Sequence, residues 1–403
     1  MKTLVKTKYL LDCTGGDPIP GGWFFFEDGV ILTAGRPGEP APPAAGADAV
    51  LDLSDSFVMP GLIDTHVHMG LSHIDMIEPM PVNEQMAQPP QIKICKAAMY
   101  LRQHLQAGVT TVRGMGEEHF IDVYLARAVA EGYIEGPRLI PAGNVITATH
   151  GQGQVGLSVA DGVEGVRRAC RENLARGADL LKIFVSGGVV SGKGGLYAAT
   201  YTPAEIRVAV EEAAALDKYA AAHVHGGPGL DMCIDAGVRS LEHASMATDA
   251  QIEKILRAGC WVTGTFSPAF HPSGVHFLSP EKAERLAAVK DKFMETFSKL
   301  VALGANLSFG TDGVHGALAF EAETIASCGA DNMQAILYLT RDAAKACRRE
   351  DEIGVISPGK YADFIALAEN PLEKLANLTA VRSVYIGGAV KFRAEQNEGC
   401  KSV

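Results

Sequence analysis

The run Asp64-Thr65-His66-Val67-His68 carries two histidines two residues apart, inside the apolar segment LIDTHVH. Side chains two apart on a β-strand point to the same face. On a strand, His66 and His68 therefore aim two imidazoles at one point, and imidazole suits zinc and related divalent metals. Four further groups of ligand type fall in other β-rich runs. Lys182 sits inside LLKIFVS, His223 ends AAAH, His243 ends VRSLEH and Asp312 ends NLSFGTD. Each has an ordinary alternative. A strand-end histidine can simply be hydrogen-bonded, Asp312 before Gly313 can form a turn, and Lys182 can reach solvent at a rim. Their joint occurrence argues for a metal site. A lysine in an apolar run is costly unless it is paired or chemically modified.

Those groups must be carried by a scaffold that brings strand ends together. Residues 57–350 alternate short β-rich runs with longer, Ala-rich amphipathic helices. The strands read as 62–68, 109–113, 138–146, 180–186, 220–225, 238–243, 261–266 and 306–312. Helical runs include QIKICKAAMYLRQHLQAG, VEGVRRACRENLARGA and PAEIRVAVEEAAALDKY. Eight strands separated by helices predict a closed α/β architecture, a (β/α)₈ TIM barrel. The six groups then lie at the C-terminal ends of strands one, four, five, six and eight, the face where such barrels hold their sites. Residues 1–56 and 351–403 read as strands broken by Gly and Pro, with a hairpin turn near Glu27-Asp28-Gly29. They predict a small β-sandwich domain built from both termini.

Composition narrows the class. The chain has 403 residues, 47% hydrophobic and 21% charged, with a net charge of -11. That suits one large barrel plus an accessory module. No basic run indicates a nucleic-acid partner. No apolar stretch is long enough for a signal peptide or a membrane span. The eight cysteines, at 13, 95, 170, 233, 260, 328, 347 and 400, form no CxxC pair, as expected of thiols in a reducing compartment. A cytoplasmic protein is expected, and homo-oligomerisation stays open.

The sequence resembles the amidohydrolase superfamily across nearly its whole length. The resemblance rests on VMPGLIDTHVH, GADLLKIFVSGG, AAHVHG, GVRSLEHAS, SFGTDG and IGVISPGKYADFIAL. Within it, the chain is most similar to the imidazolonepropionase-like group that contains prolidase-type and Xaa-Arg/Xaa-Lys dipeptidases. The resemblance implies two divalent metal ions, zinc being the first choice. His66, His68 and Asp312 would hold one, His223 and His243 the other, and Lys182, carboxylated to a carbamate, would bridge both. It implies attack on an amide carbonyl by a bridging hydroxide, with Asp312 also carrying the proton to the leaving amine. His150 and Tyr201 are implied as catalytic groups that polarise the carbonyl or stabilise the oxyanion, with Tyr197 close enough in sequence to be confused with Tyr201. His150, Tyr201, His225 and His315 are candidate substrate contacts, and for each a plain rim hydrogen bond is the alternative.

Three departures stand out. His150 lies in ATHGQG where relatives often read GGHG. Gly114 in RGMGEE stands where relatives commonly carry Asp. HVHGGPG lacks the acid that deaminases place after the fifth-strand histidine and the Cys-Glu of imidazolonepropionase. The expected substrate is a dipeptide or N-acyl amino acid. Other amides, carbamates or lactams fit the same metals, and a non-catalytic metal-binding protein is the remote rival. Segments 70–92 and 267–280 should shape the pocket.

Overall fold

A computed structural model describes residues 1–39, 46–70, 84, 87–152, 157–188, 195–272 and 280–395. Most of the expected pocket segment 70–92, part of segment 267–280 and Cys400 lie outside these residues. Each barrel strand begins where the sequence turns apolar. In order they are Leu62–Val67, Val109–Gly114, a divided third strand, Leu181–Phe184, Ala220–Val224, Ser240–His243, Trp261–Gly264 and Asn306–Phe309. All neighbouring pairs are parallel.

The third strand departs from the continuous run expected over 138–146. It splits into Arg138–Ile140 and Ile146–Thr147. Pro141 has no N–H to give to a ladder. The next three N–H groups turn to side chains instead: those of Ala142 and Gly143 to the Asp122 carboxylate, and that of Asn144 to Asn173 Oδ1. The first piece pairs with strand two and the second with strand four, so the broken strand joins two sheets.

The circle closes between strands eight and one. Asp312 N–H donates to His66 O at 2.8 Å, and Thr65 Oγ1 donates to Phe309 O at 2.9 Å. The Asp64 carboxylate accepts from both Thr311 N–H and Thr311 Oγ1. Gly310 is required here, because a Cβ on it would lie 2.3 Å from His66 N.

The helices follow their capping signals. Pro203–Ala214 starts with a capping box between Thr202 and Glu205, and Gly162–Arg176 stops at Gly177, whose φ is 105°. Both ends of the chain build one eight-stranded sheet. Phe364–Leu367, Val381–Ile386 and Ala389–Arg393 extend it from Ala49–Pro60, and Lys2–Leu10, Trp23–Glu27 and Val30–Gly35 lie on its other side. The Trp23–Gly35 hairpin turns through Asp28 and Gly29, both at positive φ. Phe24 and Phe364 belong to strands separated by two others, yet their rings meet at 5.0 Å. The sheet therefore curls over itself and closes an aromatic core with Phe26 and Tyr385. The strand Ala49–Pro60 passes into the first barrel strand with only Gly61 between them.

Gly310→Ala should lower stability by about 1–3 kcal/mol through overpacking against the first strand. A calorimetric comparison of thermal midpoints checks this, and an unchanged midpoint would show that the closure can yield.

Candidate active site

Side chains from four strands and from the turn after strand eight converge on one point. Asp312 Oδ1 lies 3.5 Å from both His66 Nε2 and His68 Nε2. Tetrahedral ligands bound at about 2.0–2.1 Å stand roughly 3.3 Å apart, so this spacing suits a shared cation. The ligand atoms of His66, His243 and Asp312 lie within 4.8 Å of one another, and so do those of His223, His225 and His243. His243 thus belongs to both groups, which makes the two adjacent. The structure brings all six expected ligands together and adds His225.

Local backbone geometry produces part of this convergence. Along strand six, Ser240 and Glu242 share the inward face. His243 should then point outward, but its φ is 73°, in the left-handed region. Its ring reaches the His66 ring at 5.0 Å, while Glu242 reaches the other edge of His66. Asp312 is also left-handed, with φ at 47°. Such conformations in non-glycine residues cost about 1–3 kcal/mol and concentrate at functional sites.

The rings are held from behind. His68 Nδ1 donates to Gly116 O at 2.8 Å. His66 Nδ1 meets Glu242 Oε2 at 2.7 Å, His243 Nδ1 meets Thr265 Oγ1 at 2.9 Å and His225 Nδ1 meets Ser245 Oγ at 2.8 Å. His223 differs, with Nε2 facing Gly187 O at 3.4 Å, so its Nδ1 is the nitrogen left for a ligand. Burial keeps His66, His223 and His243 far below the usual histidine range, reinforced by nearby Lys182 and neighbouring histidines. His225 falls to about 3 through burial and the nearby Lys182. Neutral imidazoles are the form that binds metal.

Lys182 is fully buried and its Nζ has no hydrogen-bond partner. Burial pulls its amine down to about 8, against the opposing fields of Glu242 and Asp312. Burial pushes Asp312 up to about 7, against the pull of Lys182. Side-chain exposure of 18% leaves Asp312 reachable from the barrel mouth.

The expected substrate contacts separate. His225 joins the cluster, stacked on His243 at 4.9 Å. His315 stacks on Tyr100 at 4.2 Å and meets His104 Nε2 at 3.0 Å, against the helix Pro90–Gln106. His150 is exposed, beside Asp161. Tyr201 turns its hydroxyl to a backbone carbonyl. Its buried hydroxyl donates to Ala160 O at 3.0 Å, near Asp161 and Glu205. Tyr197 has its backbone against Gly227, two residues beyond His225, and its side chain is exposed.

Sequence reading passed over Arg113, Glu242 and Asp122. Glu242 stands beside a ligand in SLEH, and that alternation on a strand was the available signal. Asp122 explains Gly114. A Cβ at Gly114 would lie 3.2 Å from Asp122 Oδ2, so a carboxylate from the following helix fills the space beside position 114. It caps the broken third strand through Ala142 and Gly143.

Comparison with known proteins gives this site its setting. The profile of the amidohydrolase family matches residues 57–391. The chain belongs to the amidohydrolase family. Ochratoxinase of Aspergillus niger is 31% identical over 367 residues, covering 82% of this chain and 75% of that protein. Its crystal structure superposes with a TM-score of 0.88 at 28% identity, covering 96% of this chain and 95% of that one. A Xaa-Pro dipeptidase with methionine in its active site gives a TM-score of 0.88 at 27% identity, covering 98% and 100%. A prolidase complexed with N-methylphosphonate-L-proline gives 0.86 at 28%, again covering 98% and 100%. The chain is thus a hydrolase of C–N bonds with a TIM barrel and a separate β-sandwich, similar to the prolidase-type branch of this amidohydrolase family.

Gly114→Asp should set two carboxylates against each other in a buried site and cost about 3 kcal/mol. Adding Asp122→Ala should recover most of the lost thermal midpoint. A single variant as stable as the parent would remove Asp122 from this role.

Proposed function

We propose that the chain is a binuclear metal-dependent amidohydrolase that cleaves a dipeptide or N-acyl amino acid bearing a free carboxylate. The observation that carries this reading is the Lys182 amine, fully buried, without a hydrogen-bond partner, amid four histidines and Asp312. A buried ammonium in that position is uncompensated and costly. Carboxylation removes the conflict. The ammonium gives up one proton, the neutral amine adds to CO₂, an N–C bond forms and a second proton is lost, so that the cation is replaced by an anion with two oxygen ligands.

The donor set fits two divalent cations, most simply zinc. His66, His68 and Asp312 would hold one, His223 and His243 the other, with carboxylated Lys182 between them. Bound there, the cations would polarise the scissile carbonyl and lower the pKa of water. The chain's own residues do the rest. Asp312 accepts the proton of the attacking water. As the C–N bond breaks, it returns that proton to the leaving nitrogen. His225, at the edge of the cluster, faces the substrate. His150 and Tyr201 are assigned to polarising the carbonyl oxygen, with Tyr197 as the alternative to Tyr201, and His315 to contacting substrate. The substrate class is supported by the amino-acid-type molecules held by the dipeptidase and the prolidase neighbours.

Zinc-loaded protein screened against dipeptides and N-acyl amino acids should release amino acids, with active compounds sharing one C-terminal residue type. Silence across the panel, with two metals bound per chain, would move the substrate to lactams, carbamates or other amides. Lys182→Ala should lose one bound metal or both together with activity. Full activity with two metals per chain would defeat the carbamate. Asp312→Asn should keep part of the metal yet lose turnover by about 10²–10⁴-fold, the usual worth of a general acid–base group. Near-normal turnover would remove Asp312 from proton transfer.

A further inference from the structure

Below the histidine cluster the barrel interior is not a layer of aliphatic side chains. It holds Arg113 from strand two and Glu242 from strand six, both with side-chain exposure of 0%. Glu242 Oε1 accepts from Ser240 Oγ at 2.6 Å and from an Arg113 Nη at 3.1 Å. Glu242 Oε2 accepts from the same Nη at 3.2 Å and meets His66 Nδ1 at 2.7 Å. Arg113 is held in turn by Thr65 O at 2.6 Å, Thr263 Oγ1 at 2.9 Å, Ser240 Oγ at 3.1 Å and Tyr219 OH at 3.4 Å. The two charged groups therefore have no rotational freedom to spare, and four strands fix them.

The consequence falls on His66. A carboxylate can only accept, so His66 Nδ1 must carry the proton. Its Nε2 is then a lone pair, buried and without a hydrogen-bond partner, on the side of Asp312. We propose that Glu242 is a positioning residue that fixes His66 as its Nδ1–H tautomer and aims Nε2 at the point shared with His68 and Asp312. Arg113 supplies the countercharge that lets an ionised carboxylate sit in this interior. Outer partners of this kind orient a ligand and raise its basicity, and their loss typically weakens metal binding about 10–100-fold. Glu242 touches neither substrate nor the reacting atoms. Its influence passes through His66, and it rests on the reading that the cluster holds metal.

The test compares zinc-loaded wild type, Glu242→Gln, and Glu242→Gln combined with Arg113→Met. Metal per chain and affinity are read by competition with a chromogenic chelator, and thermal midpoints are read in parallel. Wild type should bind two zinc ions. Glu242→Gln should weaken one of them by about 10–100-fold and lower the midpoint, because Arg113 loses its partner. The double variant, with both charges gone, should recover the midpoint and keep the weak site. That split separates positioning from a merely structural role. Wild-type affinity at both sites in either variant would overturn the proposal. Should neither variant fold, the wild-type protein still decides. Nitrogen-15 spectra of labelled histidine should show His66 protonated at Nδ1 and not at Nε2, and the opposite tautomer would overturn it. Wild type that binds no zinc would overturn the metal reading itself, a different outcome from these.

Discussion

The contact between strands eight and one governs this site. Asp312 and His66 are 246 positions apart in the chain, yet their backbones share a hydrogen bond. Strand eight can come that near only because Gly310 lacks a side chain. Asp64 then locks the approach through Thr311, with both of its carboxylate oxygens used. A barrel left open at this seam would still have histidines at its strand ends. It would not have Asp312 equidistant from His66 and His68. Barrel closure and the assembly of the site are therefore one event, and the energy of packing a 335-residue matched region is what holds a few ligand atoms within reach of each other.

Closure also determines the electrostatics. The interior is buried, so a charge there must be matched or removed. Arg113 and Glu242 are matched, by each other and by hydroxyls from Ser240 and Thr263. The histidines are held neutral by burial. The buried Lys182 amine has no hydrogen-bond partner, and an ammonium there would repel the cations that a cluster of lone pairs favours. An unsatisfied cationic group among side chains of metal-ligand type is a specific signal of missing chemistry. The same low dielectric that makes the lysine costly would make a carbamate anion there a strong ligand.

Much of this was legible in the sequence, and the reasons are physical. His66 and His68 are two apart on a strand, and a period of two cannot be mistaken for chance packing when the other ligand types recur at strand ends. The helices showed in their Ala-rich amphipathic runs, and the structure adds the caps that bound them, such as Thr202 with Glu205 and the stop at Gly177. The third strand was misread because its apolar composition persists through 138–146. What breaks it is the diversion of three backbone N–H groups to Asp122 and Asn173, partners distant in sequence. Gly114 looked like a lost carboxylate for the same reason, since its replacement comes from the following helix. Tyr201 and Tyr197 differ by four positions in an irregular segment. No periodicity exists there to say which faces the mouth, and the structure adds that the Tyr201 hydroxyl donates to Ala160 O.

The strained residues complete the picture. Regular strands would carry Glu242 and His243 to opposite faces, so a barrel can present one of them to its axis without cost, not both. Here both reach His66, one from below and one from the side. The left-handed backbone at His243 is the geometric means, and Ala244, also left-handed at φ 47°, continues the turn. The hydrogen bond from Ala244 N–H to Val224 O at 2.9 Å and that from Met246 N–H to His225 O at 2.8 Å hold this turn against strand five. Strand five carries His223, and His225 follows at its end. The strain at His243 is thus restrained by the backbone at Val224 and His225, which braces the cluster although two of its members, His243 and Asp312, sit in conformations that isolated chains avoid. A site so braced is set by the fold that carries it.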